Sequence, residues 1–200
     1  VQAKKYDFAA ALYKSLVAVH PEKIVFQKNL MDCLVKLGQI PEALDIAQKL
    51  LKLSPGSLEL TKQLARLFRL NNQPYQALEL ITMLLKRGKI DKELYFEKAF
   101  CHMQMGDFEE AKNAYRKVIQ LDPKDALAHK ELALLYVDMN LAEWAEDELK
   151  TALELDGEND EILAAQGLYL HKVQQFEQAQ EFFEKAALKS PDSGEYYFYL

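Results

Sequence analysis

Residues 92–125 read KELYFEKAFCHMQMGDFEEAKNAYRKVIQLDPKD, and this segment spells two amphipathic helices in succession. The apolar spacing places one from about Asp91 to Gln104 and the next from Asp107 to Gln120, with Gly106 breaking the chain between them and Pro123 closing the unit. Asp107 stands where an N-cap is expected, and Glu110, three positions on, completes a capping-box spacing. The unit is apolar on more than one face, so it cannot bury that surface alone.

The same unit recurs along the chain. Pro21, Pro55, Pro123 and Pro191 fall in one register, and Gly157 keeps it between the last two. Alanine stands at positions 9, 43, 77, 111, 145 and 179, a constant spacing. That spacing matches a period of about 34 residues built of helix–turn–helix units, the signature of a solenoid in which each repeat covers its neighbour's apolar side. The alanines mark where the two helices of a repeat come closest, which makes them structural.

With that period the chain resembles a tetratricopeptide repeat (TPR) array. The family pattern opens with an aromatic, matched by Tyr95 and Tyr197 but by Gln27, Thr61, His129 and Leu163 elsewhere. Its leucine is matched by Leu30, Leu64 and Leu132, and the small residue after it by Ala65, Ala99, Ala133 and Gly167. Its tyrosine corresponds to Phe68 and Tyr136, and its late aromatic to Tyr13, Tyr115 and Phe183, with Ala47, Ile81 and Leu149 departing. One corner has Lys89, within RGKID, where the pattern has proline, which suggests a looser bend. The resemblance implies an all-α fold, a right-handed superhelical solenoid of antiparallel helix pairs. The organisation is then a half repeat at 5–23, full repeats at 24–57, 58–91, 92–125, 126–159 and 160–193, and the start of a further repeat at 194–200. Pro41 and Pro74 fit this register because both fall in the first turn of a second helix, where a missing N–H costs nothing.

Composition agrees: half of the residues are hydrophobic, and 7 Gly and 6 Pro suit helices joined by short corners. No run of 18 apolar residues offers a membrane span. Both ends read as cut, since 6–19 matches a second helix without its first and 195–200 only the opening of another. An excised piece of a longer protein is therefore expected, with self-association through the uncapped ends. Cys33 and Cys101, two periods apart, occupy the same place in two repeats separated by a third, too far from each other for a disulfide. As small buried hydrophobes they point to a reducing, cytoplasmic compartment, although a cysteine-poor periplasmic protein would look the same.

Nothing in the chain spells catalysis. The four histidines form no HExxH and no Cys/His ligand spacing, and adjacent Cys101 and His102 point about 100° apart on a helix. Phosphate-binding glycine loops and a GxSxG elbow are missing, so no enzyme activity, cofactor or metal is expected. Charge is more telling. Residues 1–91 carry 14 Lys and Arg against 8 Asp and Glu, whereas residues 92–200 carry 11 against 23. A net charge of −6 thus hides a polarised chain suited to a partner of the opposite asymmetry.

In the family, first helices line a concave groove. Register carries the groove onto Lys28, Lys62, Arg66 and Arg69, then onto Phe96, Phe100 and Met103, then onto Lys130 and Leu134. A basic stretch followed by an apolar shelf reads as a site for a protein or peptide partner with an acidic segment and apolar anchors. The plainer readings stand beside it: Phe96 and Phe100 at helical spacing as core, and the basic residues as solvated surface. The carboxylate clamp that some TPR co-chaperones use for Hsp70 or Hsp90 tails is not matched. Lys28 fits it, but Asp32, Gln63, Glu93 and Glu97 occupy its other places, and starting one repeat later fares no better. Three functions compete: a scaffold for a protein or peptide; a positioning region of a larger enzyme or signalling protein; and, against the acidic total, an RNA-binding array.

Overall fold

The structure, a computed structural model, describes residues 2–191 and 194–197, and the regular structure among them is helical throughout. The chain divides into two compact units, Val1–Ile90 and Asp91–Leu200. Unit 1 holds α1 (Gln2–Val19), α2 (Ile24–Lys36), α3 (Ile40–Leu53), α4 (Leu58–Leu70) and α5 (Pro74–Lys86). Unit 2 holds α6 (Lys92–Met105), α7 (Phe108–Leu121), α8 (Ala126–Asp138), α9 (Ala142–Asp156), α10 (Asp160–Lys172), α11 (Phe176–Lys189) and α12 (Gly194–Tyr197). Within each unit every helix packs on the next, and in unit 2 α8 also packs on α10. Of the further repeat expected to open at 194, residues 198–200 and the side chain of Tyr197 lie outside the described residues.

The alanine ladder does what its spacing implies. Ala43, Ala77, Ala111 and Ala145 are fully buried and Ala179 nearly so, while Ala9 is half-buried. Gly167 is a closer approach still: a Cβ there would meet the Phe183 ring at 2.8 Å, so α10 and α11 touch through a residue without a side chain. Ala145→Leu should lower stability by about 1–3 kcal/mol through overpacking. Urea denaturation of the chain measures this, and an unmoved midpoint would mean that the helices have slack there.

The corners inside the helix pairs share one backbone device. Gly38, Asn72, Gly106, Asn140 and Gln174 all have positive φ, between 55° and 77°, and recur with the period of the repeat. The next residue then donates its N–H back to the preceding helix, as Gln39 to Leu34 (2.9 Å), Gln73 to Phe68 (2.8 Å) and Leu141 to Tyr136 (2.8 Å). This overturns the capping box expected at Asp107. The Asp107 N–H that Glu110 would have captured already donates to the His102 carbonyl at 2.9 Å. The Asp107 side chain makes no cap and lies 3.4 Å from His102 Nδ1 instead. Side-chain caps belong to the first helices: Ser57, Asp91, Asp125 and Asn159 accept from N–H groups of α4, α6, α8 and α10. Helix α5 ends in the same way, on Gly88 at φ 74°, with Lys89 donating to the Leu84 carbonyl at 3.3 Å. Pro41 and Pro74 sit in the first turns of α3 and α5, as their register requires.

Candidate partner-binding faces

In unit 1 the basic residues belong to α2 and α4. Lys62, Arg66 and Arg69 stand at i, i+4 and i+7 and form one stripe on α4, half-buried except for exposed Arg66. All three make interactions within the chain. Lys28 on α2 is half-buried, one turn from exposed Asp32. Desolvation pushes the Asp32 carboxyl above its ordinary range, with Lys28 opposing the shift. Neighbouring Cys33 is buried and free, and its thiol is also pushed up, by desolvation first and by Asp32 second.

In unit 2 the stripe Phe96, Phe100 and Met103 runs along α6, every member half-buried. Phe96 and Phe100 stack on each other at 6.2 Å and set their rings edge-on to Tyr115 of α7 at 6.1 and 5.9 Å. Tyr115 is buried in the unit's core, and all three stripe residues pack against that core. The phenylalanines are thus both core and surface: one side of each rests on Tyr115 and part of each reaches solvent. A substitution at Phe100 therefore costs stability as well as surface.

Further along unit 2, α8, α10 and α12 line a half-open cavity of about 260 Å³. Its apolar lining is Leu134, Ala164, Ala165, Leu168 and the Tyr196 ring, and its polar lining is Lys130 and Glu161. Tyr196 is held by its hydroxyl, which donates to Asp160 Oδ2 at 2.9 Å. Lys130, expected as a groove cation, reaches this cavity with its charge already matched. It is only 6% exposed, and its Nζ lies 2.7 Å from Glu161 Oε2 and 2.9 Å from Glu131 Oε1. Burial is the largest single influence on this ammonium and would lower its pKa; the two carboxylates together outweigh it and hold it above the usual lysine range. Register reasoning found Lys130 and Leu134 but missed Glu161, Ala165 and Tyr196. The available signal was an acid in the first turn of α10 followed one turn later by two alanines.

The corner that leads into α8 is also tied ionically. Lys92 at the start of α6 bonds Asp122 (2.7 Å) and Asp125 (2.8 Å), which hold its ammonium above its ordinary range. No three His, Cys, Asp or Glu side chains among the described residues are grouped to hold a metal ion. No helix among them is long and apolar enough to cross a membrane.

Two family profiles, both described as tetratricopeptide repeat, match residues 92–125 and 1–52. The chain is 30% identical over 88 residues to the type IV pilus assembly protein PilF of Pseudomonas aeruginosa, a match covering 44% of the chain and 35% of PilF. It thus spans about a third of the length of that relative. A tetratricopeptide repeat protein from Parabacteroides merdae superposes with a TM-score of 0.88 at 18% identity, covering all of this chain and 78% of the other. TTC0263, a TPR protein of Thermus thermophilus, gives 0.77 at 22% identity, covering 86% and 95%. Period, buried alanine ladder and helix pairing lead to the same place as these likenesses: the chain is a tetratricopeptide repeat protein.

Proposed function

We propose that this chain is a non-enzymatic scaffold whose first helices dock a segment of a partner protein. The observation that carries the reading is the half-buried stripe Phe96, Phe100 and Met103, whose members rest on the core while part of each side chain stays in water. Apolar anchors at helical spacing on a preformed surface suit an inserted peptide. In unit 1 the stripe Lys62, Arg66 and Arg69 suits an acidic stretch of a partner. A second reading has these repeats positioning another domain of a larger protein; it is favoured by PilF, of which the match covers only 35%.

The test is selection of a displayed random peptide library on the intact chain, followed by affinity measurement on the winners. Met103→Lys is the cleanest variant, because Met103 shares the stripe without an aromatic contact to Tyr115, and lysine can lift its charge to the surface. It should weaken binding at least tenfold while the circular dichroism and the melting curve stay in place. Unchanged affinity would remove the α6 stripe from the site, and a chain that retains no peptide would end the peptide-docking reading.

A further inference from the structure

The cavity between α8, α10 and α12 has a chemistry that the groove reading alone does not assign. Its volume of about 260 Å³ falls below the roughly 300–1,000 Å³ of small-molecule sites, so it suits a side chain rather than a free metabolite. Besides Lys130 and Glu161 the lining is aliphatic and aromatic, and it includes two small buried residues, Ala164 and Ala165, at 8% and 1% exposure. Lys130 of the lining meets two carboxylates, Glu161 of the lining and Glu131, which leaves a net charge of −1. The charges are unequally placed: the Lys130 side chain is 8% exposed, whereas that of Glu161 is 59% exposed. Only Glu161 Oε2 is used by Lys130, and Oε1 has no hydrogen-bond partner among the described residues. A visiting acid would meet Glu161 first and find the lysine already taken. A visiting cation would find an open carboxylate oxygen beside an apolar hole.

We infer that this cavity takes an aliphatic side chain of a partner polypeptide while a lysine or arginine beside it pairs with Glu161. The inference rests on the peptide-docking reading of this face and names the partner's chemistry there: basic and aliphatic, opposite in sign to what the α4 stripe of unit 1 attracts. The acidic balance of residues 92–200, 11 basic residues against 23 acidic, works in the same direction.

The experiment uses the same displayed random library on the full chain, scored for pairs of positions. The expected enrichment is Leu, Ile, Val or Met within one helical turn of Lys or Arg. A selected peptide is then remade with Glu in place of its basic residue, and both are titrated by fluorescence polarisation. On the wild-type chain the basic peptide should bind at least tenfold more tightly than its acidic counterpart. Glu161→Gln, which keeps the shape, should bring that ratio close to one, and Glu161→Lys should invert it. Circular dichroism controls for folding. Enrichment of acids beside the aliphatic residue, or a ratio unmoved in Glu161→Gln, overturns the inference and leaves peptide docking standing. Failure to retain any peptide overturns both.

Discussion

Tyr115→Ala should remove about 3–5 kcal/mol from the unfolding free energy of the chain, the cost of deleting a large buried ring whose site cannot close. Tyr115 is 1% exposed and lies among Ala99, Ala111, Tyr136 and Leu149 in the core of unit 2. The loss is steep because two other rings lean on it. Phe96 and Phe100 meet its edges at 6.1 and 5.9 Å, and each such pair contributes about 0.5–1.5 kcal/mol beyond burial. Binding should fall as well, although Tyr115 never reaches the surface, because the stripe on α6 loses its backing. Tyr115→Phe keeps the ring and should retain most of both properties. Urea denaturation followed by circular dichroism gives the first number and peptide titration the second. A variant that is strongly destabilised yet binds as before would separate the core role of Phe96 and Phe100 from any docking role.

The double variant Glu131→Gln, Glu161→Gln should cost a similar amount, about 3–5 kcal/mol near neutral pH, because it strands a buried ammonium. Lys130 is held above its usual pKa only because two carboxylates outweigh its burial. In the natural chain its contribution to stability is therefore complete below the unfolded value of about 10.4 and is lost as pH climbs through the raised folded value. Without the carboxylates desolvation alone remains, and the folded value drops below the unfolded one. Stability of the variant should then increase as pH rises toward about 10.4, the opposite slope. The gap between the two proteins should narrow on going from about pH 7 to about pH 10.4, and adding Lys130→Met should recover most of the loss. A gap that is flat with pH would mean that the stranded ammonium escapes into water.

The fold was legible where one residue type served one purpose. Alanine is what a close helix crossing demands, and it returned six times in register; Pro41 and Pro74 fell in helix first turns for an equally simple reason. The positive-φ corner was not legible beyond Gly106, because a left-handed backbone is satisfied by Gly38, Asn72, Asn140 and, with more strain, Gln174, so no single letter recurs. The site was half legible. Spacing put Phe96, Phe100 and Met103 on one stripe, since helical period alone decides that. Spacing said nothing of the second partner each ring holds, because Tyr115 comes from another helix. Spacing likewise put Lys130 among the groove positions but was silent on its counter-ions, because one of them, Glu161, stands 31 residues away and one repeat further on.

The two kinds of corner have a mechanical outcome. Inside a helix pair the joint is made of main chain, an N–H of the entering segment bonded to a carbonyl of the departing helix, and no change of side-chain charge can loosen it. The first helices begin on the side chains of Ser57, Asp91, Asp125 and Asn159 beside their main-chain bonds, and a single replacement there weakens the joint. Under stress the chain should therefore shed whole hairpins rather than single helices, and protease nicks should gather at the seams between pairs.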